Sequence, residues 1–221
     1  MRHDRADGTL GMKLFEVGPR GLASCRGARE ACRTALREGA LLVYPTDTLY
    51  ALGGLALLEG VATRVAGAKR RAPDKALPIV AADWQQVGAL APEMSELAER
   101  LARRFWPGPL SLVLRAGSDI PHDVRAGGAT VAVRVPDCAV TRELCALAGP
   151  LVATSANLSG RSAPITCREA TADLAEEVAV AIDAGPASQD QPSTLVDVSE
   201  RAPRLVREGA ISWARIIDAL R

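Results

Sequence analysis

The chain has 221 residues with 27 Lys and Arg against 26 Asp and Glu, and its net charge of +1 gives no global basis for avid binding to nucleic acid or membranes. Hydrophobic residues make up 48% of the chain, enough to bury the core of one domain. Five cysteines without a CxxC pair and two distant histidines argue against a zinc site or a disulfide framework, and favour reduced thiols.

The sequence also lacks the apolar run of roughly 18 residues that a membrane helix needs. Residues 1–8 lack the apolar centre of a signal peptide. We therefore predict a cytoplasmic protein without membrane attachment. It is expected to have a mobile tail over 1–12 and one domain over 13–221.

Hydrophobic spacing and turn residues predict alternating helices and strands along this domain. In chain order they are a helix at 24–38, strand 40–44, helix 59–68, strand 77–81, a helix opened by Asp83, helix 93–105, strands 110–115 and 130–135, helix 138–147, strand 151–154, a short helix capped by Thr166 and Glu169, strands 178–182, 194–198 and 204–207, and helix 211–220. The order is not strictly βαβ. We expect one α/β domain whose twisted, mixed β-sheet is flanked by helices.

Two of the predicted strands end in turns rich in hydroxyl groups. The first strand runs into Pro45, Thr46, Asp47 and Thr48, where proline and short polar side chains end the ladder. The strand at 151–154 is followed by Ser155, Ala156 and Asn157 in the same way. Ligands of open α/β sheets sit at such strand ends, so both turns are candidate sites, with ordinary turn formation as the alternative.

Cationic side chains form the second candidate feature. Lys69, Arg71 and Lys75 follow a predicted helix, Arg134 lies in a strand, and Arg207 lies near the C-terminus. Cations and hydroxyls without a general base suit an anionic ligand such as a triphosphate. The alternative for the 69–75 run is a solvated turn favoured by the helix dipole, and for Arg134 a cross-strand or edge position. P-loop, Rossmann, zincin and hydrolase motifs are absent from the sequence.

In combination these stretches resemble the YrdC-type threonylcarbamoyl-AMP synthase family in its single-domain form. The matching segments occur in family order over about 24–217 and are 44–50, Lys69-Arg70-Arg71, 105–111, 132–136, 154–160, 192–197 and 207–209. The resemblance implies a YrdC-like domain with an open concave ligand cleft. It also implies a nucleotidyltransferase that makes threonylcarbamoyl-AMP and pyrophosphate from L-threonine, bicarbonate and ATP.

The resemblance further implies a role in making threonylcarbamoyladenosine in tRNA. The downstream partners would be the transferase proteins that complete this modification, and the chain itself would contact tRNA, including double-stranded RNA. ATP would be a substrate, and Mg²⁺ would be bound through its phosphates without a dedicated protein cage.

Site residues are carried over by matching position. The resemblance assigns Lys69 and Arg71 to catalysis at the phosphates. It places Thr46, Thr48, Arg134 and Asn157 on the threonine side of the cleft, and Lys69, Arg71, Ser111, Ser155, Ser193 and Arg207 on the ATP side.

Some positions depart from the family pattern. Ala51 stands where glycine is usual, so its backbone must avoid positive φ or tolerate strain. Ala81 stands where many members have a histidine near threonine, which puts that contact in question. Two other functions stay open from the sequence: a YrdC-like module that binds RNA or a nucleotide without making the adenylate, and a carbamoyl-transferring enzyme with another acceptor.

Overall fold

The computed structural model describes residues 11–18, 21–72, 74–188 and 191–221. Its helices are α1 (Ala28–Arg37), α2 (Val61–Ala68), α3 (Trp84–Leu90), α4 (Glu96–Phe105), α5 (Ala139–Ala148), α6 (Cys167–Ala172) and α7 (Trp213–Asp218). Its strands are β1 (Lys13–Glu16), β2 (Leu41–Tyr44), β3 (Ala51–Gly53), β4 (Ile79–Val80), β5 (Leu110–Arg115), β6 (Thr130–Arg134), β7 (Leu151–Val152), β8 (Thr154–Ser155), β9 (Val178–Asp183), β10 (Thr194–Asp197) and β11 (Arg204–Arg207).

The strands form two mixed sheets. The first has the order β1-β9-β2-β3-β8 and the second the order β11-β10-β5-β6-β4-β7. In the first sheet β9 is parallel to both β1 and β2, whereas β3 is antiparallel to β2 and β8. In the second, β10 is parallel to β5 and antiparallel to β11.

The two sheets meet where the chain passes from β7 to β8. Ala153 separates these two strands, so one short stretch of backbone belongs to the second sheet and the next to the first. The Val152 N–H donates to the Gly54 carbonyl at 2.9 Å. A Cβ at Gly53 would lie 1.6 Å from the Val152 carbonyl oxygen, so only glycine allows this approach.

Strand β2 is buried on both faces. Leu41 and Val43 belong to one apolar cluster, with Leu101 and Leu112 among its members. Leu42 and Tyr44 belong to a second cluster that includes residues of α1 and α5. Two apolar layers therefore enclose the strand, which explains why its sequence is uniformly apolar instead of alternating.

Most predicted elements are confirmed within one or a few residues, and the α/β class with mixed sheets is confirmed. The capping box of Thr166 and Glu169 is present, and Asp83 accepts a hydrogen bond from the Gln86 N–H at 3.0 Å. The prediction of one sheet differs from the structure, because the strands divide between two. The predicted strand at 77–81 is reduced to β4, and β1 and β3 were not predicted.

The predicted tail, 1–12, lies outside the described residues except for Gly11 and Met12. None of the helices in the described part of the chain is long and apolar enough to span a bilayer.

Candidate ligand cleft

The turn between β2 and β3 is fixed by the hydroxyl group of Thr46. Thr46 Oγ1 donates to the Leu49 carbonyl at 2.6 Å and accepts from the N–H groups of Thr48 and Leu49 at 3.2 and 3.1 Å. Thr48 Oγ1 lies 3.0 Å from Thr46 Oγ1. Both side chains are buried. The hydroxyls predicted at this strand end are therefore ordered by the turn itself.

Arg134, at the end of β6, connects this turn to the second sheet. Its Nη1 donates to Thr48 Oγ1 at 3.0 Å, and its Nε donates to the Gly108 carbonyl at 2.8 Å. Its Nη2 forms an ion pair with Asp47 Oδ1, and both side chains are buried. Because charges buried this deeply need partners, the pair fixes the turn against β6.

Ser111, Ser193 and Arg207 form a second group. Ser111 Oγ and Ser193 Oγ lie 2.9 Å apart, and both residues are buried. Arg207 is exposed as a whole, but its guanidinium is partly buried where Nη2 donates to the Ser193 carbonyl at 2.8 Å. Burial of its guanidinium lowers the pKa of Arg207, and the charge of Arg134 lowers it further. The two guanidinium groups are thus close enough to repel each other.

Lys69 belongs to a third group, at the turn after β8. It is 3% exposed, and its Nζ donates to the carbonyls of Ser155 and Asn157, the latter at 2.7 Å, and to Asn157 Oδ1 at 3.4 Å. In return the Lys69 carbonyl accepts from the Ser159 N–H at 3.2 Å. Burial, and next the charge of Arg71, lower the pKa of Lys69 from 10.5 to about 8.

Arg71 differs from Lys69 because its side chain has no hydrogen-bond partner among the described residues. Its Nε is buried without a partner, although the residue as a whole is half-buried. Burial lowers the pKa of Arg71, while Asp74 opposes that shift. Lys69 is therefore committed to the turn at 155–157, whereas the side chain of Arg71 is not.

The sheet registers relate these three groups. Leu112 pairs with Val133 in the β5–β6 ladder, so Ser111 lies next to Arg134 across the strands. Ala51 pairs with Ser155 between β3 and β8, which places the β2–β3 turn beside the turn that Lys69 holds. Within the described residues, the Lys69 group makes no hydrogen bond to Arg134 or Asp47.

The two departures from the family pattern have simple structural outcomes. Ala51 lies in β3 and is not among the described residues with positive φ, so the position does not require glycine. Ala81 is fully buried, and its N–H donates to the Arg134 carbonyl at 2.9 Å. This position therefore offers no polar side chain next to Arg134.

The contacts of Asp47 and Ser188 were not predicted from the sequence. Asp47 lay within the predicted turn, but only the arginine on another strand gives its carboxylate a partner. Ser188 Oγ donates to the Asp47 carbonyl at 2.9 Å across 141 positions of sequence. No local signal in the sequence identifies either contact.

The site combines cations and hydroxyls from two sheets of an α/β fold, an arrangement suited to holding and polarising an anionic ligand. The family model for Sua5, YciO and YrdC, described as "Telomere recombination", matches residues 34–209. This chain belongs to the Sua5/YciO/YrdC family.

Individual relatives agree with this assignment. A putative threonylcarbamoyl-AMP synthase of Mycobacterium tuberculosis is 35% identical over 205 residues, covering 93% of this chain and 91% of the relative. The threonylcarbamoyl-AMP synthase of Pyrococcus abyssi is 40% identical over 182 residues, covering 82% of this chain and 54% of the relative.

Two solved structures extend the comparison. The crystal structure of P. abyssi Sua5 complexed with L-threonine matches with a TM-score of 0.88 and 35% identity, over 94% of this chain and 60% of that chain. Escherichia coli YciO matches with a TM-score of 0.78 over 91% of this chain and 97% of that chain. At 22% identity, the YciO match supports the fold alone.

Proposed function

We propose that this protein is an L-threonylcarbamoyladenylate synthase, which makes threonylcarbamoyl-AMP and pyrophosphate from L-threonine, bicarbonate and ATP. The observation that carries the proposal is the convergence of the Thr46 turn, Arg134 and the Ser111–Ser193–Arg207 group at adjoining strand ends. The names of the relatives and the threonine complex of P. abyssi Sua5 support the choice of substrate.

The chemistry requires positioning and charge, without a protein nucleophile. The threonine amine and carbon dioxide form a carbamate, whose oxygen attacks the α-phosphorus of ATP in line while pyrophosphate leaves. Donors that face the developing negative charge lower the barrier. Arg71, with unpaired donors, fits direct contact with phosphate, whereas Lys69 contributes its charge and holds the turn at 155–157.

The remaining residues are divided between the two substrates. Thr46, Thr48, Arg134 and Asn157 line the side for threonine. Ser111, Ser155, Ser193 and Arg207 line the side for ATP. Ser111 and Ser193 are already within 2.9 Å of each other, so one phosphate oxygen or ribose hydroxyl can reach both hydroxyls.

Magnesium would enter this cleft on the phosphates of ATP. The described residues contain no group of three or more His, Cys, Asp or Glu that could hold a metal ion, and the side chains assigned to the ATP side are cationic or neutral. Mg²⁺ prefers water and phosphate oxygens in such surroundings, where it offsets phosphate charge. We assign it no protein ligand.

The product would pass to the proteins that transfer threonylcarbamoyl groups to adenosine in tRNA. This role places the protein in the cytoplasm, and direct contact with tRNA is part of the proposal. Because the net charge is only +1, such contact would depend on a local basic surface and not on overall charge.

The direct test is pyrophosphate release from ATP in the presence of bicarbonate, with L-threonine, L-serine or no amino acid. We expect release that depends on threonine. Absence of release, with RNA or nucleotide binding intact, would replace the proposal by a binding module. Release with another amine-containing acceptor in place of threonine would indicate a different carbamoyl-transferring enzyme.

A further inference from the structure

The ion pair of Asp47 and Arg134 has a feature that structural support alone does not explain. The two side chains are 8% and 7% exposed, so the pair is buried. Asp47 Oδ1 contacts Arg134, but Asp47 Oδ2 is buried and has no hydrogen-bond partner among the described residues. A buried carboxylate with one oxygen unsatisfied carries a desolvation cost that the pair offsets only in part.

A buried ion pair of this kind adds little to the free energy of unfolding. Apolar side chains of similar volume often stabilise a fold as well as a buried ion pair does. The internal shape of the turn is already fixed by other bonds, from Thr46 Oγ1 to Leu49 and from Ser188 Oγ to the Asp47 carbonyl. The carboxylate must therefore be explained by what it does to Arg134.

The hydrogen bonds of Arg134 show what the carboxylate achieves. A guanidinium has five N–H groups. Three of them are used, by Gly108, Thr48 and Asp47, which leaves one N–H on each terminal nitrogen. The three partners together fix the rotation of the guanidinium, and Asp47, the charged one among them, helps to determine where the two remaining donors point.

Charge is the second effect of the carboxylate. The charge of Arg134 disfavours the protonated form of Arg207. Without Asp47, Arg134 would be a buried cation with no counter-ion beside a second cation. Both the direction and the local charge of Arg134 depend on Asp47.

We infer that Asp47 is a positioning residue that aims the two remaining N–H groups of Arg134 at the carboxylate of the amino-acid substrate. The inference rests on the proposed function, because it takes an amino acid as the substrate. A planar pair of donors matches a carboxylate, and this match gives geometric specificity as well as binding energy.

The test compares Asp47→Asn with the wild type, using L-threonine and L-threonine amide in the pyrophosphate-release assay. Asp47→Asn keeps the shape and removes the charge. We expect KM for L-threonine to rise at least about tenfold and KM for ATP to change less than about twofold. The preference of the wild type for threonine over its amide should shrink in the variant by at least about fivefold, because Arg134 is no longer aimed at the carboxylate.

Two further variants separate positioning from general damage. Asp47→Glu keeps the charge and should restore part of the preference for threonine over its amide. Asp218→Asn removes a carboxylate from the exposed pair with Arg221 and should leave both KM values unchanged. Thermal melting of each variant reports on folding.

The outcomes are distinguishable. An Asp47→Asn variant with wild-type KM for threonine, or with equal rises in both KM values, overturns the inference. The inference is also overturned if both Asp47 variants melt below the assay temperature, because the ion pair would then be required for folding. If the wild type binds threonine by calorimetry but releases no pyrophosphate, the proposed function fails. Asp47→Asn is then judged by its threonine affinity: weakening of at least about tenfold, reduced by Asp47→Glu, supports the inference, and unchanged affinity overturns it.

Discussion

Lys69 holds its charge where the surroundings disfavour it. Its ammonium group needs all three N–H donors to reach the carbonyls of Ser155 and Asn157 and the side chain of Asn157. Burial and Arg71 lower its pKa to about 8, so the proton can be lost near physiological pH. A neutral amine has only two N–H groups, and loss of the proton removes one contact to the turn together with the charge.

This titration predicts an alkaline decline in activity. As pH rises through about 8, Lys69 loses its charge, and kcat/KM for ATP should fall with an apparent pKa near that value. The fall is not unfolding. The folded pKa lies below the unfolded value of 10.5, so the contribution of Lys69 to stability increases between about pH 8 and 10.5.

A pH profile of pyrophosphate release checks this expectation. Lys69→Arg keeps a charge at all these pH values and should move the alkaline limb upward even if its overall rate is lower. A decline of the same apparent pKa in Lys69→Arg would assign the titration to another group.

Arg71 provides the sharper test of phosphate contact, since its side chain makes no hydrogen bond to the described residues, whereas Lys69 is bonded to the turn at 155–157. Arg71→Ala should lower turnover at least about tenfold, equivalent to about 1.4 kcal/mol of transition-state stabilisation, without lowering the melting temperature. Lys75→Ala removes an exposed cation four residues away and is the matched control. Similar losses in the two variants would indicate a general effect of positive charge instead of a contact.

At the scale of elements, sequence reasoning succeeded where the signal is local. The apolar run of β2 and its polar turn, and the capping box of Thr166 and Glu169, depend on residues within a few positions of each other. Strands β3 and β8 contain three and two residues, too few for any periodicity. Their structure comes from pairing with strands that are distant in sequence. The contacts of Lys69 with residues 155–157 also join parts of the chain that are distant in sequence.

The connection from β11 to α7 gives a prediction at this scale. A Cβ at Gly209 would lie 2.2 Å from the Pro192 carbonyl oxygen and 2.8 Å from that of Ser193. The Gly209 N–H also donates to Thr194 Oγ1 at 3.0 Å. Gly209→Ala should therefore push the backbone of Ser193 aside, destabilise the protein by about 1–3 kcal/mol and raise KM for ATP.

Gly88→Ala is the matched control for Gly209→Ala. Gly88 lies within α3, where an added Cβ meets nothing within 4 Å. This substitution should stabilise the protein by about 0.5–1 kcal/mol and leave both KM values unchanged. Denaturant unfolding and steady-state kinetics measure both variants. A Gly209→Ala protein with normal stability and normal KM for ATP would contradict the argument.

At the scale of the whole molecule, the division into two sheets is what the sequence could not predict. The hydrophobic pattern of a strand, whether alternating or uniformly apolar, is the same whether the strands form one sheet or two. The division depends on Ala153, where the chain changes sheets, and on Gly53, where the backbones approach closely. The site depends on this division, because the Asp47–Arg134 pair spans the two sheets.

The junction of the sheets also contains a buried hydrogen bond whose contribution can be measured. Tyr44 is completely buried in β2, and its hydroxyl donates to the Val152 carbonyl in β7 at 2.6 Å. Tyr44→Phe keeps the ring but removes the donor, so a buried carbonyl loses a partner. We expect a loss of about 1–3 kcal/mol of unfolding free energy, and a fall in melting temperature of about 2–4 °C for each kcal/mol.

Ser118→Ala removes an exposed hydroxyl that bonds to Asp119 and should change stability by less than about 0.5 kcal/mol. Because the Tyr44 hydroxyl donates to the Val152 carbonyl and to none of the residues assigned to threonine and ATP, Tyr44→Phe should keep wild-type kcat at temperatures below its transition. A Tyr44→Phe protein as stable as Ser118→Ala would mean that backbone pairing at Gly53 and Gly54 alone holds the junction. A folded Tyr44→Phe protein with reduced kcat would instead mean that the fit of the two sheets controls the geometry of the cleft.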